Sequence, residues 1–205
     1  MRESPGWRGL SEASVPEGGR KLKKALKTLL RKEDFGSITT AKIAKTAGAN
    51  EALIYRYFGD KRGLLHAVLK ESLLRYLADL EKSLENVEGA IDRLKLVAKL
   101  NIQYYAKDRV IARIFLLEVR NYPGYFESET YELVKEYGRY MSGLVKEGME
   151  AGEIRNDVSS GHIRDVLLGG LEHFCMPGPI FNRKISPDSD VEELTKIVLD
   201  GILKR

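Results

Sequence analysis

The residues with the clearest chemical potential lie in one stretch, residues 38–61, which reads ITTAKIAKTAGANEALIYRYFGDK. Hydroxyls, amides and cations are the groups that proteins place against phosphate oxygens and against the edges of bases. This stretch carries such groups at Thr40, Asn50, Tyr55, Arg56, Tyr57 and Lys61. What these groups contact depends on the elements that position them.

The spacing within this stretch is that of two short helices joined by a turn. Thr39 is a good N-cap for a first helix that runs to Ala47. Gly48 follows, where a positive φ is sterically cheap, and Asn50 caps a second helix that ends near Tyr57. The expected inward positions are all apolar: Ile43, Ala44, Ala47, Ile54 and Phe58. This is the helix-turn-helix pattern, whose second helix enters the major groove of DNA.

The charge of the chain is unevenly distributed along its length. Residues 1–66 hold 14 Lys and Arg against 7 Asp and Glu, whereas residues 67–205 hold 20 against 23. A basic first third favours a segment that meets a polyanion, followed by a segment that does not. Chance clustering of solvated lysines is the alternative that charge alone leaves open.

The remaining elements also have helical spacing. From Arg20 onward apolar residues recur at intervals of three and four, and no strand-like alternation bounded by hairpin turns is present. We expect an all-α fold of about nine helices, in which residues 1–19 form a flexible tail, 20–66 a helix-turn-helix domain and 67–205 a second helical domain. Outside the helix-turn-helix, helices are expected over residues 20–35, 63–84, 88–107, 108–119 and 126–151. Two more are expected, one capped by Ser159 or Ser160 and running to about Phe174, the other from Asp188 or Asp190 to Leu203.

Several function classes lose support from the composition. His66, His162 and His173 are dispersed, and the single Cys175 has no cysteine partner for a disulfide or a zinc site. Phosphate-binding glycine loops and nucleophile elbows are missing. No apolar run approaches the roughly 18 residues of a membrane span, and the first 19 residues do not resemble a secretory signal. We therefore expect a cytoplasmic protein that is not an enzyme and needs no cofactor or metal.

The chain resembles the tetracycline-repressor (TetR/AcrR) family of bacterial transcriptional regulators, most strongly over residues 20–68. The similarity rests on Thr39-Thr40, Ile43-Ala44, Ala47-Gly48, the run from Ile54 to Phe58, Lys61 and Leu64-Leu65. The chain departs from the family pattern at residues 49–52. The resemblance implies a homodimer that binds a palindromic DNA operator, most often as a repressor, and releases it when a small molecule binds the second domain. A helical protein-interaction module without specific DNA binding is the alternative.

Roles for individual residues follow from the resemblance. Thr40, Tyr55, Tyr57 and Lys61 are expected to contact phosphates, and Asn50, Glu51, Ala52 and Arg56 to face the bases. Some of these residues have a second interpretation. Asn50 can be only an N-cap, Glu51 can serve the helix dipole while repelling phosphate, and Tyr57 can be chiefly a core ring.

Family members commonly bind a small molecule among the central helices, and large side chains with polar tips suit such a pocket. The candidates here are Tyr104, Tyr105, Phe115, Glu118, Tyr122, Tyr137, Met141 and His173. Each of them can instead be ordinary core. Residues 116–120 and 147–154 also resemble acyl-CoA-responsive regulators of fatty-acid metabolism, which favours an acyl-CoA or another apolar ligand. A variant of such a regulator that does not repress is a further alternative.

The last two long helices correspond to the family's dimerisation element. Their apolar stripes predict a four-helix interface between two copies, through Ile163, Val166, Leu167, Gly170, Phe174, Leu194, Ile197, Val198, Gly201 and Ile202. Part of each stripe can equally belong to the core of one subunit.

Overall fold

The computed structural model describes residues 6–7, 15–184 and 186–202, excluding the side chains of residues 187, 188, 200 and 202. Every regular element within these residues is helical, which confirms the all-α fold. The α-helices are α1 (Glu17–Leu29), α2 (Thr40–Ala47), α3 (Ala52–Phe58), α4 (Lys61–Leu84), α5 (Ala90–Lys107), α6 (Arg109–Arg113), α7 (Glu129–Glu150), α8 (Ser160–Cys175), α9 (Pro177–Phe181) and α10 (Pro187–Ile202). Single turns complete the fold, of 3-10 type at Phe35–Ser37, Val119–Asn121 and Pro123–Glu127 and of π type at Ile114–Glu118.

The first three helices pack together over the start of α4. Leu22 and Leu26 of α1 are fully buried, as are Ile43 of α2 and Ile54 of α3. Helix α4 contacts α1 and α3 through this end, where Leu64 is fully buried. Burial of these apolar side chains fixes the angle between α2 and α3.

The expected tail is partly wrong. Helix α1 begins at Glu17 rather than at Arg20. The Glu17 carboxylate stabilises this start, because it pairs with Lys21 one turn later at 2.9 Å and lies at the positive end of the helix dipole. Trp7 is only 3% exposed and packs edge-on against Tyr140, with ring centroids 5.2 Å apart. Residues 1–5 and 8–14 of that expected tail lie outside the described residues.

The second half of α4 is surrounded by the later helices. It contacts α5 and α7, α7 packs on α8, and α10 lies against α5 and α8. Serine hydroxyls begin two of these helices: Ser128 accepts from the Tyr131 amide and Ser159 from the His162 amide, each at 3.2 Å. Gly152 ends α7 with a φ of +74°, where a side chain would be strained.

Several expected helices differ in extent, and the short helix α9 was not expected. The first helix ends at Leu29 rather than at residue 35. The helix predicted over residues 108–119 breaks into α6, the π turn and a 3-10 turn. The helix predicted from residue 126 begins only at Glu129, since the Pro123–Glu127 turn precedes its Ser128 cap. None of the described helices is both long and apolar enough to cross a membrane.

Close packing of α7 makes one of its glycines essential for stability. A Cβ on Gly148 would lie 2.6 Å from Ile154 Cδ1 and 3.2 Å from Ala90 Cβ, and both side chains are buried. We expect Gly148→Leu to lower the free energy of unfolding by about 3 kcal/mol, measured by urea denaturation monitored by circular dichroism.

The matched control is Gly143→Leu in the same helix, because no atom lies within 4 Å of a Cβ placed there. It should be neutral or should stabilise by up to about 1 kcal/mol, as leucine favours a helix more than glycine. Equal effects of the two substitutions would contradict the packing described here.

Candidate DNA-binding surface and inner cavity

Local hydrogen bonds fix the geometry of α2 and α3. The Thr39 hydroxyl accepts from the Lys42 amide at 3.2 Å, and Gly48 has a left-handed φ of +59° that ends α2. Asn50 Oδ1 accepts from the Ala52 amide at 2.8 Å and so begins α3, as its N-cap interpretation predicts. Because Ile54 is fully buried beneath it, α3 is held as a rigid rod against its neighbours.

One face of α3 is open to solvent. Ala52, Tyr55 and Arg56 are exposed and follow the three-and-four spacing of a single helical face. Tyr55 is 54% exposed, so its ring and hydroxyl are open to solvent on this face. The structure therefore brings three of the expected DNA contacts to one surface, with Asn50 exposed at its edge.

Other expected contacts lie beside this face. Glu51 is half-buried and its side chain makes no cap hydrogen bond at the start of α3. Tyr57 is also half-buried, with its ring edge-on to Phe58 at 6.2 Å and the Arg56 guanidinium 5.7 Å above it. These contacts with its chain neighbours cover part of the Tyr57 ring, and its phosphate contact stays a prediction. Thr40 is half-buried in the first turn of α2.

Lys61 differs from the expectation of a freely presented cation. Its ammonium donates to the carbonyls of Phe35 and Ile38 at 2.9 and 2.7 Å and lies 4.4 Å from the centre of the Phe35 ring. Burial is the main cause that lowers the pKa of Lys61, followed by the charge of Arg62. Lys61 therefore holds the α1–α2 connection in place, and a phosphate contact would have to use the remaining N–H.

A cavity of about 80 Å³ lies in the second helical unit, between α4, α5, α7 and α8. Four of the eight predicted ligand residues line it: Tyr104, Tyr105, Phe115 and Tyr137. Sequence reasoning missed eight others, namely Leu73, Tyr76, Asn101, Arg120, Tyr125, Val134, Leu168 and Glu172. Helical spacing alone could have indicated Tyr76, one turn from the buried Leu73 and Leu80; the others gave no distinct signal.

The other four predicted ligand residues do not line this cavity. Met141 is only 1% exposed and packs in the core, and His173 is exposed because the rotation of α8 turns Glu172 inward instead. Glu118 lies 3.8 Å from Arg62, and the Tyr122 ring lies 4.4 Å from the same guanidinium. The π turn at Ile114–Glu118 holds more residues per turn than an α-helix. The Glu118 side chain therefore points in a different direction from the one that an unbroken α-helix would give it.

Polar groups of the cavity wall are linked in a chain. Asn101 Nδ2 and Tyr76 Oη both donate to Tyr137 Oη at 3.3 Å, and Tyr104 donates to the Ser72 hydroxyl at 3.0 Å. Burial raises the pKa of Tyr137 to about 12 and also raises the pKa of Tyr76 and Tyr104. These hydroxyls therefore stay protonated, and remain hydrogen-bond donors, throughout the physiological pH range.

A wider groove of about 350 Å³ adjoins the cavity. Tyr76 and Tyr104 line both, with ring centroids 4.7 Å apart, so this ring pair is the wall between them. The groove is lined also by Lys27, Arg75, Asp79, Lys107 and Asp108, together with Ser72, Leu80, Leu100 and Gln103.

Ion pairs join the two helical units near this groove. Lys27 of α1 pairs with Asp108 at 2.7 Å, and Lys23 pairs with Glu71 of α4 at 2.7 Å. Arg113 of α6 donates to the Leu30 and Glu33 carbonyls just beyond α1, at 2.7 and 3.2 Å. The C-terminal end of α1 is therefore fastened to the helices that surround the cavity.

The predicted dimer stripes divide into two sets. Ile163 and Leu167 are buried in the core of one subunit, so their assignment to a surface is wrong. Val166 and Ile197 are 60% and 75% exposed, and Gly201 is exposed. The remaining described members, Gly170, Phe174, Leu194 and Val198, are half-buried. The side chain of Ile202 lies outside the described residues.

Two family models match this chain. Bacterial regulatory proteins of the tetR family match residues 22–68, and the tetracyclin repressor-like C-terminal domain matches residues 87–175. Together these matches cover about two thirds of the chain and include both the helix-turn-helix and most of the cavity wall.

Among curated proteins, the chain is similar to the fatty acid metabolism regulator protein of Bacillus subtilis. The two are 27% identical over 162 residues, which is 79% of this chain and 84% of the relative. The HTH-type transcriptional repressor SCO4008 of Streptomyces coelicolor is 29% identical over 62% of each chain.

Solved structures have the same fold. The transcriptional regulator FadR from Bacillus subtilis in complex with stearoyl-CoA has a TM-score of 0.80 at 22% identity, covering 89% of this chain and 98% of the other. The fatty acid degradation regulator FadR from Bacillus halodurans has a TM-score of 0.82 at 20% identity, over 92% and 98%. With its helix-turn-helix and its matched C-terminal domain, the chain belongs to the tetR family and is a DNA-binding transcriptional regulator.

Proposed function

We propose that this regulator acts in the cytoplasm as a dimeric repressor, rather than as an enzyme, and that a fatty acyl thioester of coenzyme A releases it from a palindromic operator. The observation that carries the proposal is the course of α4. This helix begins directly after α3, and its middle residues Leu73 and Tyr76 form part of the cavity wall. A ligand that moves this wall acts on the same helix that supports the DNA-binding face.

The ligand class is supported by the relatives. The curated relative from Bacillus subtilis is named for fatty acid metabolism, and the FadR structure from the same species contains stearoyl-CoA. In this chain the aliphatic and aromatic side chains of Leu73, Phe115, Val134 and Leu168 supply apolar wall for an acyl chain.

The size of the cavity sets a condition on binding. Sites for small molecules occupy about 300–1,000 Å³, whereas this cavity measures about 80 Å³. An acyl chain therefore requires wall side chains to move, and the ring pair of Tyr76 and Tyr104 is the side that opens towards the groove. The ligand thus selects a conformation in which this cavity is larger than about 80 Å³.

Displacement of this wall would reach the DNA-binding unit by two routes. The first is α4 itself, whose start carries the buried Leu64 beneath α3. The second is the ion pair of Lys27 and Asp108, because both residues line the groove into which the rings would move. Either route changes the position of α3 relative to the rest of the subunit, and hence the distance between two copies of α3 in a dimer.

The exposed surface of α8 and α10 suits the dimer contact. The large apolar side chains of Val166 and Ile197 are exposed to solvent in the single chain. The surface at Gly169 is also open, since a Cβ placed there would meet no atom within 4 Å. A two-fold pairing of these helices would bury them and would present two copies of α3 to consecutive major grooves.

Removal of the Arg56 guanidinium tests the DNA-binding face. We expect Arg56→Ala to weaken binding to a palindromic duplex, selected by the protein from random sequence, about ten- to a hundredfold, because a base or phosphate contact is lost. Fluorescence anisotropy measures the affinity at fixed salt. Lys146→Ala, an exposed cation on α7 away from α3, is the matched control and should change affinity less than twofold. Equal losses of DNA affinity in both variants would show that α3 does not contact the DNA.

Trp7 provides a direct measure of ligand binding. It is the single tryptophan of the chain, and its ring centroid lies 6.4 Å from that of the cavity residue Tyr137. Hexadecanoyl-CoA should change Trp7 fluorescence and release the operator at the same concentrations, whereas coenzyme A alone should do neither. Absence of both effects would refute the proposed ligand class.

Filling the cavity should separate ligand response from DNA binding. Val134 lines the cavity, so Val134→Phe should weaken release by hexadecanoyl-CoA at least about tenfold while operator affinity without ligand stays within about twofold. Val158, which is 40% exposed, supplies the control Val158→Phe, expected to behave as the parent protein. An unchanged response in Val134→Phe would place the ligand elsewhere.

A further inference from the structure

We infer that the cavity selects an acyl chain that carries a hydroxyl group, a narrower class than fatty acyl thioesters in general. The inference rests on the function proposed above, and it follows from unpaired hydrogen-bonding groups around Asn101 and Tyr137. These two residues, on α5 and α7, form one side of the cavity wall.

The composition of the wall is the first observation. Eight of its twelve residues carry polar groups, five of them tyrosines, and four are purely apolar. A site for an unsubstituted alkyl chain gains nothing from this many hydroxyls, because an alkyl chain cannot satisfy buried polar groups. The wall therefore combines a mainly apolar surface, which suits an alkyl chain, with hydroxyls and one amide that can pair with an oxygen on that chain.

The hydrogen-bond accounting around Asn101 gives the second observation. Asn101 is 7% exposed, its Nδ2 donates to Tyr137 Oη at 3.3 Å, and its Oδ1 has no partner among the described residues. A buried unpaired carbonyl destabilises a folded protein and calls for an explanation. Exchange of the two amide atoms would leave the nitrogen unpaired instead, so one amide group lacks a partner in either orientation.

Tyr137 supplies a complementary free group. Its oxygen accepts from both Asn101 and Tyr76, so neither of these bonds uses its own hydrogen. Since burial keeps the hydroxyl protonated, that hydrogen remains available as a donor. With Asn101 Oδ1 unpaired, the wall presents one free donor beside one free acceptor. With the amide atoms exchanged, Tyr137 donates to Asn101 and the amide nitrogen is the group left without a partner.

A hydroxyl is the small group that satisfies both. It accepts from Tyr137 and donates to Asn101 Oδ1, or accepts from the amide nitrogen in the other orientation. A thioester or ketone carbonyl can only accept, so it satisfies the amide in one orientation alone, whereas a hydroxyl satisfies it in both. An alkyl chain would leave both groups unpaired.

The charged residues of the wall argue against an anionic group in the same place. Arg120 pairs with Glu172 at 2.5 Å, so the two charges neutralise each other. A carboxylate in the cavity would meet the Glu172 carboxylate and Asn101 Oδ1 without a free cation among the wall residues. A neutral hydroxyl avoids this repulsion.

Matched thioesters test the inference. Hexadecanoyl-CoA, 3-hydroxyhexadecanoyl-CoA and 16-hydroxyhexadecanoyl-CoA are titrated against the full chain, with Trp7 fluorescence and operator release as the two measurements. We expect one of the hydroxylated thioesters to bind at least about tenfold more tightly than hexadecanoyl-CoA, because the unsubstituted chain buries both polar groups without partners.

Asn101→Leu removes the amide at similar volume and should reduce this preference to within about twofold, mainly by strengthening the binding of hexadecanoyl-CoA. Tyr137→Phe should also reduce the preference for a hydroxylated chain, and it provides a second variant if Asn101→Leu fails to fold. Val158→Met, an exchange at an exposed residue outside the wall, is the control that should keep the preference.

The outcomes separate the two proposals. Equal or weaker binding of both hydroxylated thioesters to the parent protein overturns the hydroxyl inference and leaves acyl thioester regulation intact. A preference that survives both Asn101→Leu and Tyr137→Phe also overturns it, because the hydroxyl then binds elsewhere. Failure of all three thioesters to bind refutes the proposed function itself.

Discussion

Burial of one continuous helix, α4, is the constraint on which the rest of the molecule depends. Its 24 residues span about 36 Å. Leu64 and Leu65 are fully buried at its start, and Leu77 and Leu80 are fully buried in its second half. Beyond Gly63 the helix contains no glycine or proline that could bend it. The two helical units are therefore joined by a shared rigid element, which a change in the packing around the cavity must move or strain.

Polar contacts make this mechanical link more specific. The Lys27–Asp108 and Lys23–Glu71 pairs cross from α1 to the second unit, and Arg113 satisfies carbonyls beyond the end of α1. Each contact is partly removed from solvent, so it is screened less than a surface pair. Lys61 has a similar function within the first unit, where it stabilises the connection between α1 and α2. Cations that suggested DNA contact by composition thus act partly within the protein.

The two candidate sites differ in how far the sequence could predict them. The helix-turn-helix depends on local features, namely the Thr39 and Asn50 caps, the left-handed Gly48 and the buried Ile43 and Ile54. All of these lie within about 20 residues, so their pattern predicts both the elements and the exposed face of α3. The cavity brings together residues from 73 to 172, and half of its expected members lie elsewhere. An aromatic residue at helical spacing has the same pattern whether it fills the core or borders a cavity.

By itself, the sequence determined the all-helical architecture, the position of the DNA-binding helix and the family resemblance, because these depend on spacing and caps along the chain. The tertiary structure alone decided which face of each long helix points inward. The π turn rotates Glu118 towards Arg62, the orientation of α8 places Glu172 rather than His173 at the cavity, and Trp7 packs beside Tyr137 and Tyr140. These outcomes follow from packing between segments distant in sequence, where small rotations about a helix axis exchange a buried side chain for an exposed one.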